Sequence, residues 1–306
     1  MYQRGKASET VIDYELLPAS DQELKFSVLE EEFVEKHSIK ELSPDILKTL
    51  QLLSPDGVYN KAAELLADTN DFLGIDMARF GSTINEIHGR YDLTGVSVLK
   101  QFHEALSIFT QNYVYEKIEG ATRETVETIP KEAFRESITN ALVHRAWDVR
   151  APIKVSMHPD KIVVTSPGRL PPGISPHDYA NGHFSLLRNP ILGMVFFRLG
   201  YIEKFGTGIA RIKHLYQASV VQPAFDIYDS SITITLPILS DEHSLNQHHV
   251  KVLAALDNAT PRSRSEIATV AAVSRAITIR ALNELIELGS VKKVGSGPQT
   301  KYMRNN

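Results

Sequence analysis

Apolar positions recur at helical spacing through residues 21–70, interrupted at Ser43-Pro44 and at Ser54-Pro55-Asp56-Gly57, and again through 96–113 and 131–147. Ser43 has the chemistry of an N-cap, and Pro44 at the first helical position loses no hydrogen bond. Strand-like runs lie at 75–80 and 86–91, with a further short strand expected at 11–16. After 147 the period shortens to two. Ile153, Val155 and Met157 alternate with polar residues, His158-Pro159-Asp160 turns the chain, and Ile162 and Val164 continue on a second strand. Helices follow at 190–199 and, opened by Gly206-Thr207-Gly208, to residue 216; strands follow at 224–228 and 231–238. This α-β-β-α-β-β series predicts an α+β fold: a two-layer α/β sandwich whose mainly antiparallel sheet is covered on one face by helices.

Around 239–247 the chain turns polar, as a linker does, and the last 60 residues follow a different plan. Helices are expected at 249–257, 264–271 and 274–288, with Ser263 and Ser274 as caps, then two short strands around Gly295-Ser296-Gly297-Pro298. Leu253, Ile267, Ile277, Leu282, Leu285, Ile286 and Val291 would form a small core. The expected organisation is therefore a helical N-terminal segment (1–74), the sandwich (75–240) and a C-terminal helical domain (247–306).

Composition narrows the chemistry. The 306 residues are 42% hydrophobic and 23% charged, ordinary for a globular chain, and Cys 0 excludes disulfides, thiolate metal sites and thiol catalysis. No apolar run approaches the ~18 residues of a membrane span, so a cytoplasmic protein is expected. The net charge of −4 is unevenly spread. Residues 247–306 carry nine Lys/Arg against four Asp/Glu, a local +5, and the rest of the chain carries −9. A basic end on an acidic body suggests different partners for the two parts.

On the 131–147 helix, Glu136, Asn140 and His144 fall at i, i+4 and i+8 and form one polar stripe, opposite Phe134, Ile138, Ala141 and Leu142. A carboxylate accepts a proton from water and a carboxamide offers a neutral oxygen to a hard cation. The same stripe is also what a solvated helix face looks like. Two glycine turns downstream, Ser166-Pro167-Gly168 and Gly206-Thr207-Gly208, give it context.

Glu136-x-x-x-Asn140-Ala141 resembles the N-box of the GHKL (Bergerat-type) ATPases. The blocks Phe134–Arg145, Thr165–Pro171, Leu187-Arg188-Asn189-Pro190 and Gly200–Ile209 resemble the RecG-like, Schlafen-associated regulators more specifically, and Asn60–Leu66 extends the likeness. The resemblance implies an ATP pocket between helices and sheet. In it Asn140 would hold Mg²⁺, Glu136 would be the general base of any hydrolysis, Gly206, Thr207 and Gly208 would approach the phosphates, and Gly168 would close on the adenine. His144, Arg145, Arg188 and Asn189, which fall in the matching blocks, join the expected nucleotide site. The sequence departs from those proteins at Ser166, where they carry Asp or Asn for the adenine amino group; a shorter hydroxyl implies weak or altered binding. Residues 2–8 resemble the closing strand of an AlbA-type domain. The G-x-x-x-x-G-K-[ST] loop of helicase motors is absent from the sequence.

The C-terminal order, three helices and a glycine-tipped hairpin, resembles a winged helix-turn-helix. Ser274, Arg275, Thr278 and Arg280 would then face the major groove of double-stranded DNA, with Arg264, Lys292, Lys293 and Lys301 along phosphates. A module used for protein contacts is the alternative. Together these readings predict a homodimeric, DNA-binding transcriptional regulator with a nucleotide-sensing module; a slow Mg²⁺-dependent ATPase and a scaffold with a dead pocket are the competing expectations.

Overall fold

The computed structural model describes residues 14–119, 122–171, 173–181, 187–203, 206–239, 245, 247–295, 297 and 300–305. They divide into two compact units, one drawn from Met1–Ile212 and Ala224–Ile238, the other from Lys213–Pro223 and Leu239–Asn306. The expected AlbA-type strand at 2–8, residues 11–13 and the hairpin-tip residues 296, 298 and 299 lie outside the described residues, as does most of the linker.

The first unit opens with a 3₁₀ turn, Tyr14–Leu16, in place of the expected strand. Helices α1 (Ser27–His37), α2 (Pro44–Thr49) and α3 (Lys61–Leu66) follow. Ser43 accepts the Ile46 amide and Asn60 accepts the Ala63 amide, so α2 and α3 carry their own caps. Helix α1 is capped from outside: the Asp68 carboxylate accepts the Ser27 and Val28 amides at 2.9 and 3.1 Å.

Next come β1 (Ile75–Phe80), β2 (Ile87–Asp92), α4 (Val98–Tyr113), β3 (Val114–Glu119), β4 (Thr122–Glu127) and α5 (Lys131–His144). The β3–β4 hairpin was not expected. It pairs Val114 with Glu127 through Glu119 with Thr122, and Tyr115 and Ile118 on it are exposed. Helix α5 stops short of residue 147 because Arg145 is extended.

The remainder is β5 (Ile153–Met157), β6 (Lys161–Pro167), α6 (Pro176–Asn181), α7 (Pro190–Arg198), α8 (Gly208–Leu215, of which residues 213–215 fall in the second unit), β7 (Ala224–Ile227) and β8 (Ser231–Pro237). One six-stranded mixed sheet results, in the order β2-β1-β5-β6-β8-β7. Only β1 and β5 run parallel; every other neighbouring pair is antiparallel. Alternation buries Ile153, Val155, Met157, Ile162, Val164, Ile232, Ile234 and Leu236 on the face covered by α4 and α5. The opposite face carries Lys154, Ser156, Thr165 and Thr233, partly or wholly open to water. Phe134 of α5 stacks on Phe109 of α4 at 4.4 Å between centroids, both fully buried.

The second unit contains α9 (Gln247–Ala254), α10 (Arg264–Ala271), α11 (Arg275–Glu287), β9 (Val291–Val294) and β10 (Lys301–Arg304). Ser263 and Glu266 form a reciprocal capping box on α10, and Ser274 caps α11. Val252, Leu253, Ile267, Ala281, Leu282, Leu285, Val291 and Tyr302 make the core. Ile277, expected in it, is only half-buried. Thr278 is the residue that turns inward, donating its hydroxyl to Ser274 O at 3.0 Å. Arg262, just before α10, exchanges both backbone bonds with Tyr302 and extends the hairpin by one bridge. No helix among the described residues is long and apolar enough to cross a membrane.

Candidate functional site

Helix α5 is the spine of the site. Its apolar side faces the sheet and α4, and this turns Glu136, Asn140 and His144 toward α8 and the loop before it. Two cavities meet along this stripe and share Asn140 and His144. One lies over the sheet, lined by Ser137, Asn140, Ala141, His144, Val164, Ser166, Gly168, Tyr179, Ile232 and Ile234. The other lies under α8, lined by Glu136, Thr139, Asn140, His144, Gly206, Thr207, Gly208 and Arg211 among others. The carboxamide of residue 140 and the Gly-Thr-Gly bend therefore share one cavity, although 66 to 68 positions separate them. Both are open to solvent and enclose about 390 Å³ under α8 and about 300 Å³ over the sheet.

Glycine is required at the bend. Gly206 takes a positive φ of 62°. A Cβ on Gly208 would lie 2.8 Å from Glu136 Oε2 and 3.3 Å from Asn140 Nδ2, so the start of α8 presses directly on the stripe. Thr207 is the cap position: its carbonyl accepts the Arg211 amide at 2.9 Å. The amides of a helix's first turn have no partner inside the helix, and the helix dipole favours an anion at this end, beside the cavity that Gly206, Thr207 and Gly208 line.

Glu136 is doubly ion-paired. The residue is 5% exposed, and Oε1 accepts from Arg135 Nη2 and from Arg211 Nη1, both at 2.9 Å. Arg211 also reaches Glu203 Oε1 at 2.7 Å, Glu132 Oε1 at 3.6 Å and Thr207 Oγ1 at 3.4 Å. Burial works against the Arg211 charge, but Glu136, Glu203 and Glu132 outweigh it and raise the guanidinium pKa. The Arg135 Nε is buried without a partner among the described residues. Sequence reasoning missed Arg211; its signal was a guanidinium four residues after Thr207, on the same helical face.

Three of the sequence-derived site residues prove structural. Arg145 is 1% exposed, donates to Leu73 O and to Ala151 O, and lies over the Trp147 ring at 4.1 Å. Burial brings its pKa down to about 10, which still leaves it charged at neutral pH. Asn189 is buried and donates to Val143 O and Arg145 O, both at 2.8 Å, closing the end of α5. Arg188 donates to His144 O at 3.1 Å and to Arg169 O, and burial lowers its pKa. None of the three lines either cavity; Arg188 and Asn189 satisfy carbonyls at the end of α5, and Arg145 satisfies loop carbonyls before β1 and β5.

Ser166 and Gly168 do line the cavity over the sheet. Ser166 donates to Ala141 O at 3.0 Å, which leaves its oxygen as an acceptor toward the cavity. Gly168 has φ 117°, and a Cβ there would lie 2.8 Å from Ala146 Cβ. Tyr179, deeply buried on α6, has its phenol pushed up to about 12.

In the second unit Ser274, Arg275 and Arg280 are exposed along α11, whereas Thr278 is fully buried and cannot face a groove. Arg264 is exposed but donates to Tyr302 Oη at 2.7 Å. The register pairs Lys301 with Val294 and Tyr302 with Lys293, so Lys292 and Lys301 share the face opposite buried Tyr302 and Lys293 points the other way. Of the lysines expected along phosphates, Lys292 and Lys301 therefore lie on one face of the hairpin and Lys293 on the other. Among the described residues no group of three or more His, Asp or Glu is placed to hold a metal.

Comparison with known proteins agrees with the first unit. Residues 150–236 match the HATPase_c_4 family, described as "Putative ATP-dependent DNA helicase recG C-terminal". That span holds β5 to β8 with Ser166, Gly168 and the Gly-Thr-Gly bend, and it begins after α5. The crystal structure of the DIP2311 protein from Corynebacterium diphtheriae is similar in fold, with a TM-score of 0.65 at 18% identity. The match covers 97% of this chain and 65% of that one, so the chain spans about two-thirds of its length. No curated protein matches in sequence. The stretch 150–236 is thus similar to the RecG-like, ATPase-type domains that this family model describes.

Proposed function

We propose that the chain is a nucleotide-responsive DNA-binding regulator: a GHKL-type sandwich binds an adenine nucleotide, and a winged helix-turn-helix in the second unit binds duplex DNA. The observation that carries the nucleotide half is the shared cavity of Asn140, Gly206, Thr207 and Gly208, supported by the ATPase-type family match over the adjoining strands. The base would lie over the sheet against Ser166 and Gly168, and the phosphates at the start of α8.

The donor set fits Mg²⁺ only as an ion carried mainly by phosphate. Asn140 offers one neutral oxygen, and the nearest carboxylate, Glu136, is already paired with two guanidiniums. Mg²⁺ held by one side chain, water and phosphate oxygens is usual for nucleotide sites. When bound, the ion would neutralise phosphate charge; the residues of this chain would orient and enclose the polyphosphate. The Glu136 pairing favours sensing over hydrolysis.

The DNA half rests on the +5 charge of residues 247–306 and on the exposed Arg275 and Arg280 of a helix capped by Ser274. Calorimetric titration of the full chain with Mg²⁺-ATP tests the first half. Duplex binding at several salt concentrations tests the second: affinity should fall along a log–log line with a slope of about −0.9 per phosphate contacted. Salt-independent or absent duplex binding would remove the regulator reading, and absent heat with millimolar Mg²⁺-ATP would remove the sensor.

A further inference from the structure

We propose that Arg211 is the cation that recognises the ligand's phosphates, and that it does so by exchanging its carboxylate partner Glu136 for phosphate oxygens; Glu136 then competes with the ligand and does not activate a nucleophile. This deepens the nucleotide reading above and rests on it.

Four observations carry the exchange. Arg211 stands one turn into α8, four residues after Thr207, and lines the same cavity as Gly206 and Gly208. Its guanidinium is already engaged with anions, Nη1 with Glu136 at 2.9 Å and Nη2 with Glu203 at 2.7 Å, and a phosphate oxygen is an acceptor of the same charge for either nitrogen. Glu136 and Arg211 both line the cavity under α8 with Gly206, Thr207 and Gly208, so a polyphosphate held at the start of α8 lies against that ion pair. Finally, Glu136 keeps a second guanidinium, Arg135, at 2.9 Å. Releasing Arg211 therefore does not strand a buried carboxylate without a counter-charge, the outcome that makes breaking most buried pairs prohibitive.

Charge sets the direction of the effect. Three carboxylates (Glu132, Glu136 and Glu203) face two guanidiniums (Arg135 and Arg211), leaving the cluster one negative charge in excess. A polyphosphate entering here meets repulsion and a competitor for its best donor. Removing the Glu136 charge relieves both.

The test uses the full-length chain and two probes, Mg²⁺-ATP and Mg²⁺-tripolyphosphate, measured by calorimetry with thermal unfolding to verify folding. Glu136→Gln should tighten both probes by about 10-fold, and Arg211→Ala should weaken both by roughly 10- to 100-fold, the span of one or two charge-assisted bonds. Arg211→Lys, which keeps the charge and loses the fork, should fall between Arg211→Ala and wild type. Because tripolyphosphate carries no base, a matching response with it assigns the effect to the phosphates. If wild type binds Mg²⁺-ATP but Glu136→Gln binds the same or more weakly, the exchange is overturned and the nucleotide site survives. Wild-type affinity in Arg211→Ala overturns it likewise. If neither wild type nor Glu136→Gln binds either probe, both readings fall together.

Discussion

Asn189 offers the sharpest separation of a strut from a ligand contact. Its side chain is 2% exposed and donates two bonds of 2.8 Å to Val143 O and Arg145 O at the end of α5. Asn189→Ala leaves both carbonyls dry and unpaired, at ~1–3 kcal/mol each, so the first unit should lose about 2–5 kcal/mol. At roughly 2–4 °C per kcal/mol for a unit of this size, its Tm should drop by about 4–20 °C. Nucleotide affinity, measured well below that transition, should be unchanged because Asn189 lines neither cavity. Asn189→Asp sharpens the test. Its carboxylate would face two carbonyl oxygens, so its pKa would rise on folding; the stability deficit would be full above that raised pKa and shrink as pH falls toward ~4. An unchanged Tm combined with lost nucleotide binding would refute this reasoning and restore Asn189 to the ligand site.

Gly168→Ala should lower the urea midpoint of the first unit, by about 2–4 kcal/mol in stability, because φ is 117° and the added Cβ meets Ala146 Cβ at 2.8 Å. The Asp68 carboxylate is opposed by burial, but the Ser27 and Val28 amides hold its pKa below the usual value. Its contribution is present above the unfolded pKa of ~3.9 and lost as pH falls through the lower folded value. Asp68→Ala should accordingly cost about 1 kcal/mol at pH 7, a gap that closes in acid denaturation series below about pH 4. In the second unit, Arg275→Ala with Arg280→Ala should abolish specific duplex binding without shifting its Tm, whereas Thr278→Val should leave duplex affinity intact and alter only stability.

Local chemistry was legible in the sequence wherever the deciding partner lies within a few residues. Ser43, Ser263 and Ser274 cap the helices they were expected to cap, and the alternation of Ile153, Val155 and Met157 gave both the strand and its buried face. The β3–β4 hairpin escaped because Val-Tyr-Glu-Lys-Ile-Glu and Thr-Arg-Glu-Thr-Val-Glu have no apolar alternation, and the strands are exposed on both faces. Thr278 could have been read correctly. It lies three, four and seven residues before Ala281, Leu282 and Leu285, the buried stripe of its own helix. Arg145, Arg188 and Asn189 could not, because a polar side chain that satisfies backbone carbonyls and one aimed at a ligand look alike until the fold is located. The same holds for the 75-residue pairing of Arg211 with Glu136, which only tertiary structure creates.

Glu15, buried in the 3₁₀ turn, accepts the Ile191 and Leu192 amides at 2.8 Å and so caps α7 across 176 and 177 positions of chain. During translation this carboxylate emerges early and its donors emerge late. At ~5–20 residues per second the ribosome needs roughly 10–40 s to deliver them. Until then the nascent first unit holds an acid that water must solvate, and the cap of α7 can close only once residues 191 and 192 have emerged.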